Sequence, residues 1–395
     1  MTTGNINSYN LIFPYKIVFG AGSRRELGVL AKPLGNRAVL IIGSRTLEKL
    51  GIIRQLIADL ETSGISILST ETISHEPETI DVDRLVERLR NSLLPRDFVL
   101  TIGGGAALDL GKATAALLPQ TQNASVQDYL EGVGRGLKLE AAPLPLIAVP
   151  TTAGTGAEAT KNAVISSYQP PFKKSLRDDR MMPRLALIDP ELSLHCPAKV
   201  TAESGMDAVT QLFESYVSRR HQPVTDTLVE QGLPLAFEAL PKLARQPDDL
   251  DSRNKIAHAA LLSGIALANA GLGMAHGIAP ALGVHCRIPH GAACALMLPS
   301  TLRTNAGICS ERYARLARLL LRLDSAISDD IATEKLINKV EELCDLLGVP
   351  RRLSDLGIDS SMIPVLAKDS KGTSMSGNPK ELSTEEIAAI LRNIA

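Results

Sequence analysis

The sequence predicts a doubly wound α/β domain followed by an all-α domain, and three observations carry that expectation. Between residues 37 and 150, short apolar runs alternate with segments whose apolar residues recur at helical spacing. That alternation is the pattern of parallel strands buried on both faces by crossover helices. The third and fourth of these runs end in Gly-rich or Thr- and Gly-rich turns. After about residue 200 the chain is helical by periodicity, punctuated by Gly and Pro, with no clear strand.

The elements follow in order. Residues 37–43 (RAVLIIG) read as a fully buried strand. Over 45–62 the spacing of Leu47, Leu50, Ile53, Leu56, Ile57 and Leu60 predicts a helix. Residues 64–70 (GISILST) read as the next strand, and Val82, Leu85, Val86, Leu89 and Leu93 mark a second helix. Asp97 to Ile102 is a third strand that runs into Gly103-Gly104-Gly105. A helix is expected over 106–118, and a fourth strand over Leu146–Val149. Asp189-Pro190 is a turn signal. The domain boundary is expected near 190–197, dividing the chain into 1–195 and 196–395. No repeat of fixed 20–50-residue period is evident.

Composition narrows the function. The 395 residues carry 42 Lys+Arg against 43 Asp+Glu, a formal net charge of −1. A nucleic-acid binder should show a basic excess, so none is expected as a partner. With 45% hydrophobic and 22% charged residues the chain is not disordered. Its five cysteines are odd in number, widely spaced and without a Cys-x-x-Cys pair. That usage fits a reduced, cytoplasmic protein. Met1–Tyr15 lacks a basic segment followed by an apolar run, so no signal peptide is expected. Ile256–Cys286 contains no Asp, Glu, Lys or Arg but holds His258, Asn269, His276, Pro280, His285 and five glycines. It is expected to be buried in a domain core rather than to face lipid.

Four segments can carry chemistry. Gly103-Gly104-Gly105, followed by Asp109, closes a strand and opens a helix. Glycines let a phosphate approach the backbone, and a helix N-terminus offers free N–H groups and partial positive charge. Neither the Walker A nor the usual GxGxxG spacing is present, so a plain glycine turn is the alternative. Pro150-Thr151-Thr152-Ala153-Gly154-Thr155-Gly156 sits at the carboxyl end of the fourth strand, where open α/β sheets bind ligands. Asp207 and Gln211 are four residues apart and share a helical face. His276 and His290 lie in apolar, glycine-rich surroundings. Each feature alone reads as a polar loop, an exposed pair or a core histidine. Together an Asp, a Gln and two His make a mixed N/O divalent-metal set.

The order and separation of these four segments resemble the iron-containing (group III) alcohol dehydrogenase family along essentially the whole chain. The likeness begins with Phe13–Gly22, includes Ala186–Leu192, and ends with Asn378-Pro379 and Ser383–Ile387. The Thr-Thr-Ala-Gly-Thr-Gly run and Gly205-Met206-Asp207-Ala208 are its most specific parts. The resemblance implies a Rossmann-like dinucleotide-binding domain and a helical metal- and substrate-binding domain, in a dehydroquinate synthase-like architecture. It also implies a homodimer or higher oligomer. Gly103, Gly104, Gly105, Asp109, Thr151, Thr152 and Thr155 would line the cofactor cleft, and Lys173 or Lys174 would approach it from a hairpin. We take Lys174 as the member of that pair. Asp207, Gln211, His276 and His290 would fall at the metal-ligand positions, for Fe²⁺ or Zn²⁺, with Asp207, His276 and His290 as the catalytic set.

Two departures from the family pattern matter. Gln211 stands where the family usually has His, and an amide oxygen is a weaker ligand than imidazole. The alternative is a site that works without metal. Pro280 replaces a His implicated in proton transfer, and proline can carry no proton. His285 is the nearby substitute. Ser44, at the end of the first strand, stands where NAD-preferring relatives carry Asp. Without that carboxylate, and with Arg45 beside it, NADP(H) is expected over NAD(H). The expected reaction is reversible conversion of an alcohol to an aldehyde or ketone. Lys173, Lys174, Arg177 and Arg287 suggest an anionic aldehyde. The alternatives are a metal-free reductase, a lyase of the same architecture, and a nucleotide-binding protein without catalysis.

Overall fold

The structure is a computed structural model that describes residues 8–122 and 124–395. The leader expectation for Met1–Tyr15 therefore falls partly outside the described residues. Strands β1 (Ile17–Phe19), β2 (Arg37–Ile42), β3 (Ser66–Thr72), β4 (Asp97–Gly103), β5 (Leu146–Pro150), β6 (Asn162–Tyr168), β7 (Pro171–Arg177) and β8 (Leu185–Ile188) make two sheets. Helices α1 (Leu27–Ala31), α2 (Arg45–Lys49), α3 (Ile52–Thr62), α4 (Thr79–Leu89) and α5 (Gly105–Leu117) are interleaved with them.

The larger sheet is parallel, in the order β1-β8-β5-β4-β2-β3. Its central strands are apolar at successive positions because both faces are covered. Ala38, Leu40 and Ile42 of β2 pack with Leu27, Leu56 and Leu60 of α1 and α3. Val39 and Ile41 turn to the opposite face, onto Val82, Leu85 and Leu110 of α4 and α5. The expected first, third and fourth strands are β2, β4 and β5. The short runs β1 and β8 complete the sheet, and β6 and β7 form a separate antiparallel hairpin.

Two expectations need correction. The helix read over 45–62 is two helices, because Gly51 adopts the left-handed region (φ 75°) and ends α2 before α3 begins. The strand read over 64–70 starts two residues later, since Gly64 (φ 79°) turns the chain out of α3.

The rest of the chain is helical: α6 (Ala198–Val217), α7 (Pro223–Leu243), α8 (Leu250–Ala270), α9 (Met274–Cys286), α10 (His290–Leu321), α11 (Asp329–Leu346), α12 (Ile363–Asp369) and α13 (Thr384–Asn393). One core is shared by α6, α7, α8, α10 and α11. A second gathers α9, the start of α10, α12 and α13. Among the described residues no single helix is long and apolar enough to cross a membrane. The uncharged stretch from Ile256 lies in α8 and α9, which bend by 101° from each other and bury most of their side chains.

Candidate active site between the sheet and the helices

The carboxyl ends of β2, β4 and β5 open onto a cleft of about 590 Å³ that reaches the first turn of α10. Ser44, Arg45, Gly104, Gly105, Thr151, Thr152 and His290 all line it.

At the glycine turn, β4 passes into α5 through Gly104, and no side chain caps the helix N-terminus. Its first N–H groups are left to a ligand. A Cβ on Gly104 would come 3.1 Å from the Thr152 hydroxyl, and one on Gly105 would come 2.7 Å from the Thr155 methyl. The threonine loop therefore leans on the bare backbone of the glycine turn. Gly103 is tighter still: a Cβ there would lie 2.9 Å from the main chain of Gly43 and 2.7 Å from the Ala107 side chain. The loop is fixed on its other side by Gly156, which is left-handed (φ 60°) and meets Gly264 of α8 main chain to main chain.

At the far end of the cleft Ser44 caps α2 by accepting the Leu47 N–H at 3.3 Å, and Arg45 donates to the Ser74 hydroxyl at 2.8 Å. Asp109 is placed elsewhere. Its carboxylate accepts the Val164 N–H at 3.1 Å and pairs with Lys112 at 3.0 Å, tying α5 to the β6–β7 hairpin rather than lining the cleft. Lys174 is also displaced from its expected role. Alternation along β7 puts it on the face of Phe172 and Leu176, which pack into the core. Lys173 faces the site instead, paired at 2.7 Å with Glu76 of the cleft wall.

The metal-type residues converge from three helices. Asp207 comes from α6, His276 from the first turn of α9, and His290 from the first residue of α10. His276 Nε2 lies 3.0 Å from Asp207 Oδ1, and His290 Nε2 lies 4.0 Å from the same oxygen. Sequence reasoning missed two further members. Cys294, one turn beyond His290, brings its Sγ to 3.7 Å from His290 Nε2. Glu214, two turns beyond Asp207, accepts from His276 Nδ1 at 2.7 Å and from the Ala275 N–H at 2.6 Å. Both are buried. Their i+4 and i+7 spacings put them on the same helix faces as His290 and Asp207, and that was the available signal.

Gln211 behaves differently. Its Nε2 donates to the Thr155 carbonyl at 3.2 Å, and its Oε1 accepts from the Ser263 hydroxyl at 2.8 Å. His285 lies apart from the cluster, bound to Asp369 at 2.7 Å, so it does not stand in for the histidine that Pro280 replaces. Arg177 pairs with Glu131. Arg287 lines the cleft three residues before His290, with its guanidinium 3.2 Å above the Tyr168 ring.

The electrostatics follow from burial among opposite charges. Burial would raise the Asp207 carboxyl, but the His276 hydrogen bond and both imidazoles hold it below the usual range. Burial would lower His276, yet Cys294, Asp207 and Glu214 together lift it well above an ordinary histidine. His290 is pushed down to about 4 by burial and then by the charge of Lys173, so it is a neutral donor at pH 7. Burial pushes the Cys294 thiol up to about 12.

This set fits a divalent metal. One carboxylate oxygen, two imidazole nitrogens and one sulfur all lie within 4.8 Å of one another. A tetrahedral ion bound at about 2.0–2.3 Å needs donors about 3.3–3.8 Å apart, a small adjustment from this spacing. The carboxylate behind His276 is the partner that metal-bound imidazoles usually have.

Comparison with known proteins gives the family of the chain. Residues 14–190 match the family model described as iron-containing alcohol dehydrogenase, and residues 201–395 match its C-terminal counterpart. The chain is 30% identical over 385 residues to the NAD-dependent methanol dehydrogenase of Bacillus methanolicus, covering 97% of this chain and 99% of that one. It is 29% identical to the NADPH-dependent butanol dehydrogenase of Clostridium saccharobutylicum, covering 95% of each. The crystal structure of a 1,3-propanediol oxidoreductase superposes with a TM-score of 0.91 at 30% identity, over 98% of this chain and 100% of that one.

Proposed function

The chain belongs to the iron-containing alcohol dehydrogenase family and is an oxidoreductase of alcohols and aldehydes, and from that premise we propose that it reduces a small aldehyde bearing an acidic group, using NADPH and one divalent metal, Fe²⁺ or Zn²⁺. The observation that carries this reading is the continuity of the cleft: the glycine turn, the threonine loop and His290 line one cavity. A dinucleotide and a metal centre would meet there.

Each residue has a part. The free N–H groups at the start of α5 and the bare Gly104 and Gly105 would receive the pyrophosphate, with Thr151, Thr152 and Thr155 opposite. Ser44 presents no carboxylate to a ribose 2′-phosphate, and Arg45 beside it supplies positive charge. Asp207, His276 and His290 would hold the metal, and Glu214 keeps His276 oriented by accepting a hydrogen bond from its Nδ1–H. When bound, the metal supplies Lewis-acid polarisation of the substrate carbonyl and the nicotinamide supplies the hydride. Pro280 carries no proton and His285 is held by Asp369, so neither would serve as the proton donor, and water or a ribose hydroxyl would carry the proton to the new hydroxyl. Among the described residues Arg287 is the cleft-lining cation near His290 that has no carboxylate partner, which supports an acidic substrate.

The test is elemental analysis of the purified protein, paired with NADPH- and NADH-dependent aldehyde reduction before and after chelation. About one Fe or Zn per chain, with activity lost on chelation and restored by metal, is expected. His276→Ala and His290→Ala should each abolish turnover. Full activity in both variants, or in a metal-free protein, overturns the metal reading.

A further inference from the structure

We propose that Cys294, not Gln211, supplies the fourth protein ligand of this metal centre, making an Asp207–His276–His290–Cys294 set that selects zinc. The proposal rests on the reading that the cluster holds a divalent metal, and it concerns which residues complete the shell.

Three observations lead there. First, Gln211 is engaged elsewhere at both ends of its amide. Its Nε2 can serve only as a donor and faces the Thr155 carbonyl, which points Oε1 at the Ser263 hydroxyl on α8. Gln211 thereby ties α6 to the threonine loop and to α8. Turning its oxygen to a metal would break both contacts and leave the half-buried Thr155 carbonyl without this donor, while Ser263 would keep the Ala260 carbonyl.

Second, Cys294 is where a fourth donor must be. His290 opens α10 and Cys294 follows one turn later, so their donors project side by side. The sulfur lies within 4.8 Å of the Asp207 oxygen and of both imidazole nitrogens. It is fully buried: one side packs in the apolar core of α9 and α10, and the sulfur itself meets the His290 imidazole at 3.7 Å.

Third, the donor chemistry becomes coherent. Replacing an imidazole by an amide would leave the softest and strongest donor nearby unused. Replacing it by a thiolate gives a sulfur, two nitrogens and an oxygen, a set suited to zinc. Binding is a proton-for-metal exchange: the Cys294 S–H bond breaks, a sulfur–metal bond forms, the proton leaves to solvent, and nothing is oxidised or reduced. Zinc also accepts a fifth ligand, so four protein donors do not close the centre to substrate.

The test uses the full chain, stripped with a chelator and titrated with Co²⁺ and Zn²⁺. Cobalt should bind one per chain with an intense near-ultraviolet sulfur-to-cobalt charge-transfer band. Cys294→Ser should lose that band and weaken zinc affinity by at least about 100-fold, more than loss of an outer-shell partner costs. Cys196→Ser, at a cysteine that lines the cleft, should keep the band. If Cys294→Ser fails to fold, the band in the unmodified chain together with Cys196→Ser still decides. Stoichiometric cobalt binding without the band, or a band kept by Cys294→Ser, overturns the proposal and leaves the metal reading standing. No binding of either ion overturns both.

Discussion

His276 Nδ1 lies 2.7 Å from Glu214 Oε2, while its Nε2 faces Asp207 at 3.0 Å. One imidazole is thus held between two buried carboxylates with different tasks. Glu214 also receives the Ala275 N–H and so caps α9. By accepting from Nδ1–H it keeps the neutral ring's one proton on Nδ1, which leaves the Nε2 lone pair for an ion shared with Asp207. Glu214→Gln keeps the shape and removes the charge. Zinc affinity of the variant, measured by competition with a chelator, is expected to fall about 10–100-fold with an unchanged circular dichroism spectrum. Unchanged affinity would reduce Glu214 to a helix cap.

At the other end of the cleft, coenzyme choice should follow charge. Removing Arg45 or adding an acid at position 44 each costs a charge-assisted contact, about 1.5–3 kcal/mol. Arg45→Ala and Ser44→Asp are each expected to lower the NADPH-to-NADH ratio of kcat/KM by about tenfold or more. A native enzyme that already favours NADH would falsify the assignment of NADPH.

The glycine turn predicts two separate phenotypes. A Cβ at Gly103 meets the backbone of Gly43, which cannot yield, so Gly103→Ala should lower Tm by several degrees. A Cβ at Gly104 meets only the Thr152 side chain, at 3.1 Å. Gly104→Ala should keep a near-native Tm and raise KM for the coenzyme. Equal melting curves for the two variants would contradict this packing.

On the proposed reading, Arg287 would be the residue that reads substrate charge. Stacking on Tyr168 leaves the guanidinium edge free to hydrogen-bond an anion. Arg287→Ala should lower kcat/KM for carboxylate- or sulfonate-bearing aldehydes by about tenfold or more and leave neutral aldehydes unaffected. Equal losses for both classes would make Arg287 a structural residue.

Stability should carry the signature of Glu158, buried behind the threonine loop. Burial raises its carboxyl from 4.5 to about 7, offset only in part by a main-chain hydrogen bond and the charge of Lys112. Between those values the native chain keeps a proton that the unfolded chain has released. Stability from this group is complete below pH 4.5 and is lost as pH rises to 7, by about 3 kcal/mol. Urea unfolding of the native protein and Glu158→Gln across that range should show the decline in the first and not in the second.

Sequence pattern reached the sheet because β2, β4 and β5 are buried on both faces and so carry unbroken apolar runs instead of alternating with polar residues. It reached Asp207, His276 and His290 because each stands in a distinctive short segment, and the structure brings the three together. It missed the break at Gly51, where apolar periodicity continues across a left-handed residue. It also chose Lys174 over Lys173, since neighbouring lysines on a strand differ only in facing. Glu214 and Cys294 were missed for another reason, since helical spacing alone is a weak signal. Each looks like an ordinary helix residue until a second helix is laid against it.

The meeting of Gly156 and Gly264 has a mechanical consequence. Where side chains interlock, two bodies can slide by exchanging rotamers. Here main chain rests on main chain, with nothing to exchange. A methyl on either glycine would push the threonine loop off α8, so the seat of the two threonines that line the cleft depends on both positions staying bare.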